Sequence, residues 1–129
     1  VLAHGEVSVG EPPDGVEAHH VTEIAAGEEL LDGERRRQKI ELVEPTDDTT
    51  GVARFLASKG EGFHHVCFEV DDLSETLLRL GLDGVELIDS APRRGAEGPV
   101  AFLHPRSCRG VLVELIEAPG GPSWAALGY

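Results

Sequence analysis

Apolar and polar residues alternate through Phe63-His64-His65-Val66-Cys67-Phe68-Glu69-Val70, a strand pattern with Val66, Phe68 and Val70 on one face and His65, Cys67 and Glu69 on the other. Asp71-Asp72 follow with helix-capping carboxylates, and Glu75, three residues after Asp72, completes a capping-box spacing. Leu73, Leu77 and Leu80 recur at helical spacing, and Gly81 reads as the stop. Three further strands are expected at residues 85–88, 100–104 and 111–117, joined by Gly/Pro-rich loops over 91–99 and 105–110. The order β-α-β-β-β is a complete small module.

The first half reads as part of a second copy. Strands are expected at residues 6–9, 16–24 and 38–44, with a short helix over 50–58 presenting Val52, Phe55 and Leu56. Both halves close alike, Ile40-Glu41-Leu42-Val43-Glu44-Pro45 against Val113-Glu114-Leu115-Ile116-Glu117-Ala118-Pro119, each ending a run of three strands. The first half lacks an opening strand and helix: the spacing from His65 to Glu114, counted back from Glu41, falls before residue 1. The charge-dense stretch 27–37 reads as a hairpin-like insertion or mobile loop. The organisation is thus one domain over 1–129: a partial first module (1–49), a connecting helix and loop (50–62), a complete second module (63–119) and a tail (120–129).

Composition narrows the function classes. Asp and Glu number 24 against 11 Lys and Arg, a net charge of -13 that disfavours nucleic acid and anionic membrane surfaces as partners. No apolar run approaches the roughly 20 residues of a membrane-spanning helix, and no signal peptide opens the chain. Two cysteines, Cys67 and Cys108, make no disulfide framework, so a cytoplasmic location is expected.

Strand alternation selects the residues that carry chemistry. His65 lies on the face away from Val66, Phe68 and Val70, and Glu114 shares its strand face with Leu112 and Ile116. A carboxylate between two aliphatics is costly unless paired, hydrogen-bonded or metal-bound. Glu41 shares a face with Val43 in the corresponding strand of the first half. One imidazole and two carboxylates suit Co²⁺, Mn²⁺, Fe²⁺ or Zn²⁺ with an open position for substrate. Against this stands the commoner role of a strand histidine as a structural residue and of a strand glutamate as a solvated one. His4, His19, His20 and His104 have no special context. Arg93, Arg94, Arg106 and Arg109 lie in two neighbouring loops, either to hold an anion such as a phosphate-bearing cofactor tail or as ordinary surface charge.

The stretch Gly60-Glu61-Gly62-Phe63-His64-His65-Val66, with Phe68-Glu69-Val70-Asp71-Asp72, Pro92-Arg93-Arg94-Gly95, Phe102-Leu103-His104-Pro105-Arg106-Ser107 and Gly110-Val111-Leu112-Val113-Glu114-Leu115, resembles the methylmalonyl-CoA epimerase family. That family belongs to the vicinal-oxygen-chelate (glyoxalase/bleomycin-resistance) superfamily. The resemblance implies an α+β fold of paired βαβββ modules forming a cupped sheet around a divalent metal, here without the opening strand and helix of the first module. It puts His65, Glu114 and Glu41 at metal-ligand positions; the family's fourth ligand, a His in an Asp-His-Val-like motif, has no counterpart in this sequence. It also implies a 1,1-proton transfer on methylmalonyl-CoA or another acyl-CoA through an enolate. Glu114 would serve one face of the α-carbon and Glu17, or in second place Glu23, the other. The Arg-bearing loops would meet the CoA phosphates, and a homodimer is expected. Two alternatives are another metalloenzyme of the superfamily, a lyase or dioxygenase, and a non-catalytic binding module without the first metal His.

Overall fold

A computed structural model gives the fold and describes residues 6–7, 19–31 and 34–129, with side chains from Ile40 to Tyr129. The described residues divide between Glu61 and Gly62 into two units.

In the first unit, β1 (Glu6–Val7), β2 (His19–Leu31) and β3 (Glu34–Pro45) form an antiparallel sheet in the order β1-β2-β3. The stretch expected to be a hairpin-like insertion or mobile loop is the far end of the β2–β3 ladder, a hairpin rather than a mobile loop, with Glu28 opposite Arg37 and Glu29 opposite Arg36. Opposite charges at facing positions favour antiparallel pairing, so the charge density that reads as a loop in sequence supports a ladder. A bulge between Ala25 and Gly27 shifts the register there. Residues 8–9 and 16–18 of the expected strands lie outside the described residues. After β3, α1 (Gly51–Lys59) is capped by Thr50, whose hydroxyl accepts the Ala53 N–H at 3.1 Å. Val52 is buried, while Leu56 stays exposed.

The second unit is a βαβββ module: β4 (His65–Val70), α2 (Leu73–Leu82), β5 (Arg93–Arg94), β6 (Pro99–Leu103) and β7 (Leu112–Glu117). Its sheet runs β4-β7-β6-β5, with β4 parallel to β7 and the other pairs antiparallel. Strands β5-β6-β7 repeat the antiparallel order of β1-β2-β3, each trio opening on a two-residue strand.

Asp72 caps α2, its carboxylate accepting the Glu75 N–H at 3.0 Å. The Glu75 side chain does not close the capping box but pairs along the helix with Arg79 at 2.8 Å. Nor does Gly81 stop the helix. The chain leaves at Gly84, whose φ of +85° permits a Schellman closure: Val85 N–H donates to Leu80 C=O and Gly84 N–H to Gly81 C=O. Leu73 and Leu77 are fully buried with Ala101, Leu103 and Leu115, against which Val70, Leu80 and Val113 pack. Each buried Leu contributes about 1.5–3 kcal/mol relative to exposure. Phe68, expected on the packed face, is 55% exposed because β4 is the edge strand of its sheet among the described residues.

The strand expected at 85–88 does not form as a regular element. Leu87 makes a single bridge to Leu103, and then Ile88 and Asp89 both donate their N–H groups to Phe102 C=O, at 2.9 and 3.2 Å. Two residues facing one is a bulge, and regular pairing resumes only at β5, inside the stretch expected to be a loop. The second expected loop contains a short 3-10 turn over Pro105–Ser107.

The tail folds back as α3 (Pro122–Ala126). Trp124 donates its indole N–H to Ala118 C=O at 2.9 Å and lies against Gly98. The Tyr129 hydroxyl accepts the Gly95 N–H at 2.7 Å and donates to Gly95 C=O at 2.5 Å. Beneath α3 the Glu117 carboxylate is 1% exposed and accepts three hydrogen bonds, from Leu73 N–H, Ser123 N–H and Ser123 Oγ.

Candidate functional site

Register decides which side chains meet on the sheet face away from α2. Cys67 pairs with Glu114 and His65 with Leu112 across β4–β7, while Phe102 pairs with Glu114 across β6–β7 and Arg93 with Val100 across β5–β6. Directly opposed residues share a face, so His65, Cys67, Glu114, Phe102 and Arg93 all belong to this one.

Two of the expected metal ligands meet there. His65 Nε2 lies 3.0 Å from Glu114 Oε2, with side chains 16% and 19% exposed. The other ring nitrogen of His65, Nδ1, lies 2.8 Å from Nδ1 of His64, and the two rings stand nearly perpendicular. Phe102 presents its ring edge-on to His65 with centroids 6.2 Å apart. The Arg93 guanidinium sits over the same Phe102 ring, 5.1 Å from its centroid.

Asp89 organises this wall, and sequence reasoning missed it. Its carboxylate accepts the Phe102 N–H at 2.8 Å and the Arg93 Nε–H at 3.2 Å, holding backbone and cation together at the bulge. The only hint in the sequence is an acid four residues before an arginine, a spacing that reads first as a helical pair.

Glu41 stands in β3 of the first unit, opposite Glu23 in the ladder. Glu17 lies outside the described residues, and so does His4. Arg94 stacks over Tyr129 at 4.7 Å and donates to the carbonyls of Leu127 and Gly128. Arg106 pairs with Glu86 at 2.9 Å. Arg109 is exposed, with a left-handed φ of +57°. His104 caps the 3-10 turn, its Nδ1 accepting the Arg106 N–H at 3.1 Å. Among the described residues no three His, Cys, Asp or Glu side chains form a group able to hold a metal ion.

The two donors that do meet fit a divalent ion. Atoms at adjacent positions of an octahedral ion, with bonds of about 2.1 Å, lie about 3.0 Å apart. An imidazole and a carboxylate are also suitable donors for Co²⁺, Mn²⁺ or Zn²⁺. Among the described residues no helix is long and apolar enough to cross a membrane.

Comparison with known proteins agrees with this architecture. Residues 16–103 match the family model of the Glyoxalase/Bleomycin resistance protein/Dioxygenase superfamily. A mitochondrial methylmalonyl-CoA epimerase of Dictyostelium discoideum is 43% identical over 111 residues, 84% of this chain and 62% of that protein. The human mitochondrial methylmalonyl-CoA epimerase is 40% identical over 82 residues, 62% of this chain and 47% of that one. The chain therefore spans about half to three fifths of the length of these curated relatives. A Streptomyces coelicolor methylmalonyl-CoA epimerase variant, solved with 2-nitronate-propionyl-CoA, superposes with a TM-score of 0.71 at 30% identity, covering 93% of this chain and 78% of that one. An epimerase solved with methylmalonyl-CoA and NH4+ gives the same TM-score and identity, covering 95% and 81%. By sequence and by fold, this chain belongs to the glyoxalase/bleomycin resistance protein/dioxygenase superfamily and, within it, to the methylmalonyl-CoA epimerase family.

Proposed function

We propose that this chain carries the second metal-binding half of a methylmalonyl-CoA epimerase and catalyses 1,1-proton transfer at the α-carbon of methylmalonyl-CoA. The observation that carries the reading is the His65 Nε2–Glu114 Oε2 pair at 3.0 Å on the face away from α2. Relatives solved with methylmalonyl-CoA or a propionyl-CoA nitronate support the choice of substrate.

In this reading His65, Glu114 and Glu41 hold a divalent ion, Co²⁺, Mn²⁺ or Zn²⁺. When bound, the ion supplies Lewis-acid polarisation of the thioester carbonyl, which acidifies the α-proton. Glu114 takes or returns that proton on one face of the α-carbon, and Glu17, or Glu23 in its place, acts on the other. Phe102 covers one side of His65 and limits water at the reacting centre. Arg93 adds a positive charge on the same face, suited to an anionic acyl-CoA. Arg94, Arg106 and Arg109 are assigned to the CoA phosphates, for which Arg94 and Arg106 would exchange their present partners. A homodimer and a cytoplasmic location belong to the same proposal, although relatives such as the Dictyostelium protein bear mitochondrial names.

The test follows exchange directly. The protein is incubated with methylmalonyl-CoA in D₂O, with and without Co²⁺, and loss of the α-proton signal is followed by NMR. Metal-dependent exchange is expected. Absence of exchange in both samples overturns the catalytic reading, and binding without exchange supports an acyl-CoA-binding module instead.

A further inference from the structure

Arg93 is held from one side only. Its Nε–H donates to Asp89 Oδ2 at 3.2 Å, and its guanidinium lies over the Phe102 ring, 5.1 Å from the centroid. Among the described residues its two terminal nitrogens have no hydrogen-bond or ion-pair partner, and the side chain is 40% exposed. A fully matched pair sets both carboxylate oxygens against two guanidinium nitrogens. Here a single oxygen makes the contact, because Asp89 Oδ2 also accepts the Phe102 N–H at 2.8 Å. Asp89 and the Phe102 ring thus fix the plane of the guanidinium and leave its two-pronged edge for another partner.

That partner is an anion, and its place on the sheet selects the kind. Phe102 borders both His65 and Arg93, so one aromatic ring separates the cation from the His65–Glu114 pair. A group carried by the reacting acyl unit can reach across one ring, whereas the phosphates of an acyl-CoA stand at the far end of its pantetheine arm.

We propose that Arg93 is a specificity-determining residue that binds the free carboxylate of a dicarboxylic acyl thioester, and that Asp89 is its positioning residue. The two terminal N–H prongs of a planar fork match the two oxygens of a carboxylate. An acyl thioester without that carboxylate leaves the fork unmatched beside an apolar ring, so the site separates the two substrate classes. The inference rests on the reading of His65 and Glu114 as the reacting centre.

The experiment measures Kd by calorimetry for racemic methylmalonyl-CoA and for propionyl-CoA, which differ by the carboxylate alone, and for methylmalonyl-pantetheine, which lacks the phosphates. The ratio of the first two Kd values does not depend on the folded fraction, so a variant that only loosens the fold leaves it unchanged. Arg93→Gln should cut the preference for methylmalonyl-CoA about tenfold, the low end for hydrogen bonds between charged groups because the side chain is part-exposed. Arg93→Lys, which keeps the charge without the fork, should recover part of it. Asp89→Ala should lose a similar factor alone and add nothing to Arg93→Gln, while Asp89→Asn, which can keep an oxygen at the Oδ2 position, should retain most of the preference. A wild-type ratio in Arg93→Gln overturns the proposal, and a wild-type ratio in Asp89→Ala overturns the positioning role. Equal weakening of both CoA thioesters in Arg93→Gln, with methylmalonyl-pantetheine unaffected, would assign Arg93 to the phosphates instead. If the unaltered protein binds methylmalonyl-CoA and propionyl-CoA equally, the proposal falls and the acyl-CoA reading stands; if it binds neither, both fall.

Discussion

Glu117 and Ser123 are joined twice: the carboxylate accepts the Ser123 backbone N–H at 2.8 Å and its hydroxyl at 2.9 Å. The same carboxylate accepts the Leu73 N–H at 2.9 Å, so one buried acid ties the start of α2 to the start of α3. Glu117→Gln replaces one acceptor oxygen with an NH₂ group facing a donor, and weakens the rest by removing the charge. Stability should fall by about 2–4 kcal/mol, from hydrogen bonds to a charged group and a buried donor left unmatched. Urea unfolding should show a lower midpoint with an unchanged slope.

Gly98 controls whether the tail can dock. Its φ is +145°, and a Cβ there would stand 2.6 Å from the Trp124 ring. Gly98→Ala should therefore lift Trp124 off the sheet and cost about 1–3 kcal/mol from overpacking. Trp124 is the single tryptophan of the chain, so its fluorescence reports the event directly. A red-shifted emission maximum is expected; a wild-type spectrum would mean that the neighbouring backbone yields instead.

Metal retention depends on the His65–Glu114 pair. Removing either side chain leaves one donor where two now stand 3.0 Å apart. His65→Ala and Glu114→Ala should each lose the Co²⁺ that the wild-type protein keeps after gel filtration, as measured by elemental analysis. Stoichiometric cobalt in both variants would mean that the ion is held elsewhere.

Asp47 links local stability to pH. The Thr49 hydroxyl and the Thr49 N–H donate to its carboxylate, at 2.5 and 2.7 Å, and hold its pKa below the usual carboxylate value. Because the folded pKa is depressed, the stabilisation is fully present above the unfolded value of about 3.9 and is lost as pH falls through the lower, folded pKa. The group is fully exposed, so the effect is local to the turn before α1. A carboxyl NMR titration should place the Asp47 midpoint lower than that of an ordinary aspartate, and Thr49→Val should raise it.

Alternation in β4 and in β7 is legible because a strand has period two, so the opposite faces of His65 and Val66, and the company of Glu114, follow from residue order alone. The Asp72 cap and the Leu73–Leu77 stripe are equally local. Gly81 misleads because a glycine within a helix carries the same letter as one that ends it; Gly84 terminates α2 through positive φ and the Val85 contact with the core. The stretch 27–37 stays open between a hairpin and a mobile loop because charge alone does not separate a solvated loop from a ladder; only the β2–β3 register shows that Glu28 and Arg37 face each other.

What the sequence determined by itself is the α+β module, the face on which His65 and Glu114 stand, and the family, since all three rest on short-range periodicity and on motifs read in order. Tertiary structure decided the rest: the 3.0 Å approach of an imidazole and a carboxylate 49 residues apart, the Asp89 staple under Phe102 and Arg93, and the burial of Glu117. Each of these depends on strand register or on a bulge, and one residue of slip would send every side chain of a strand to the opposite face.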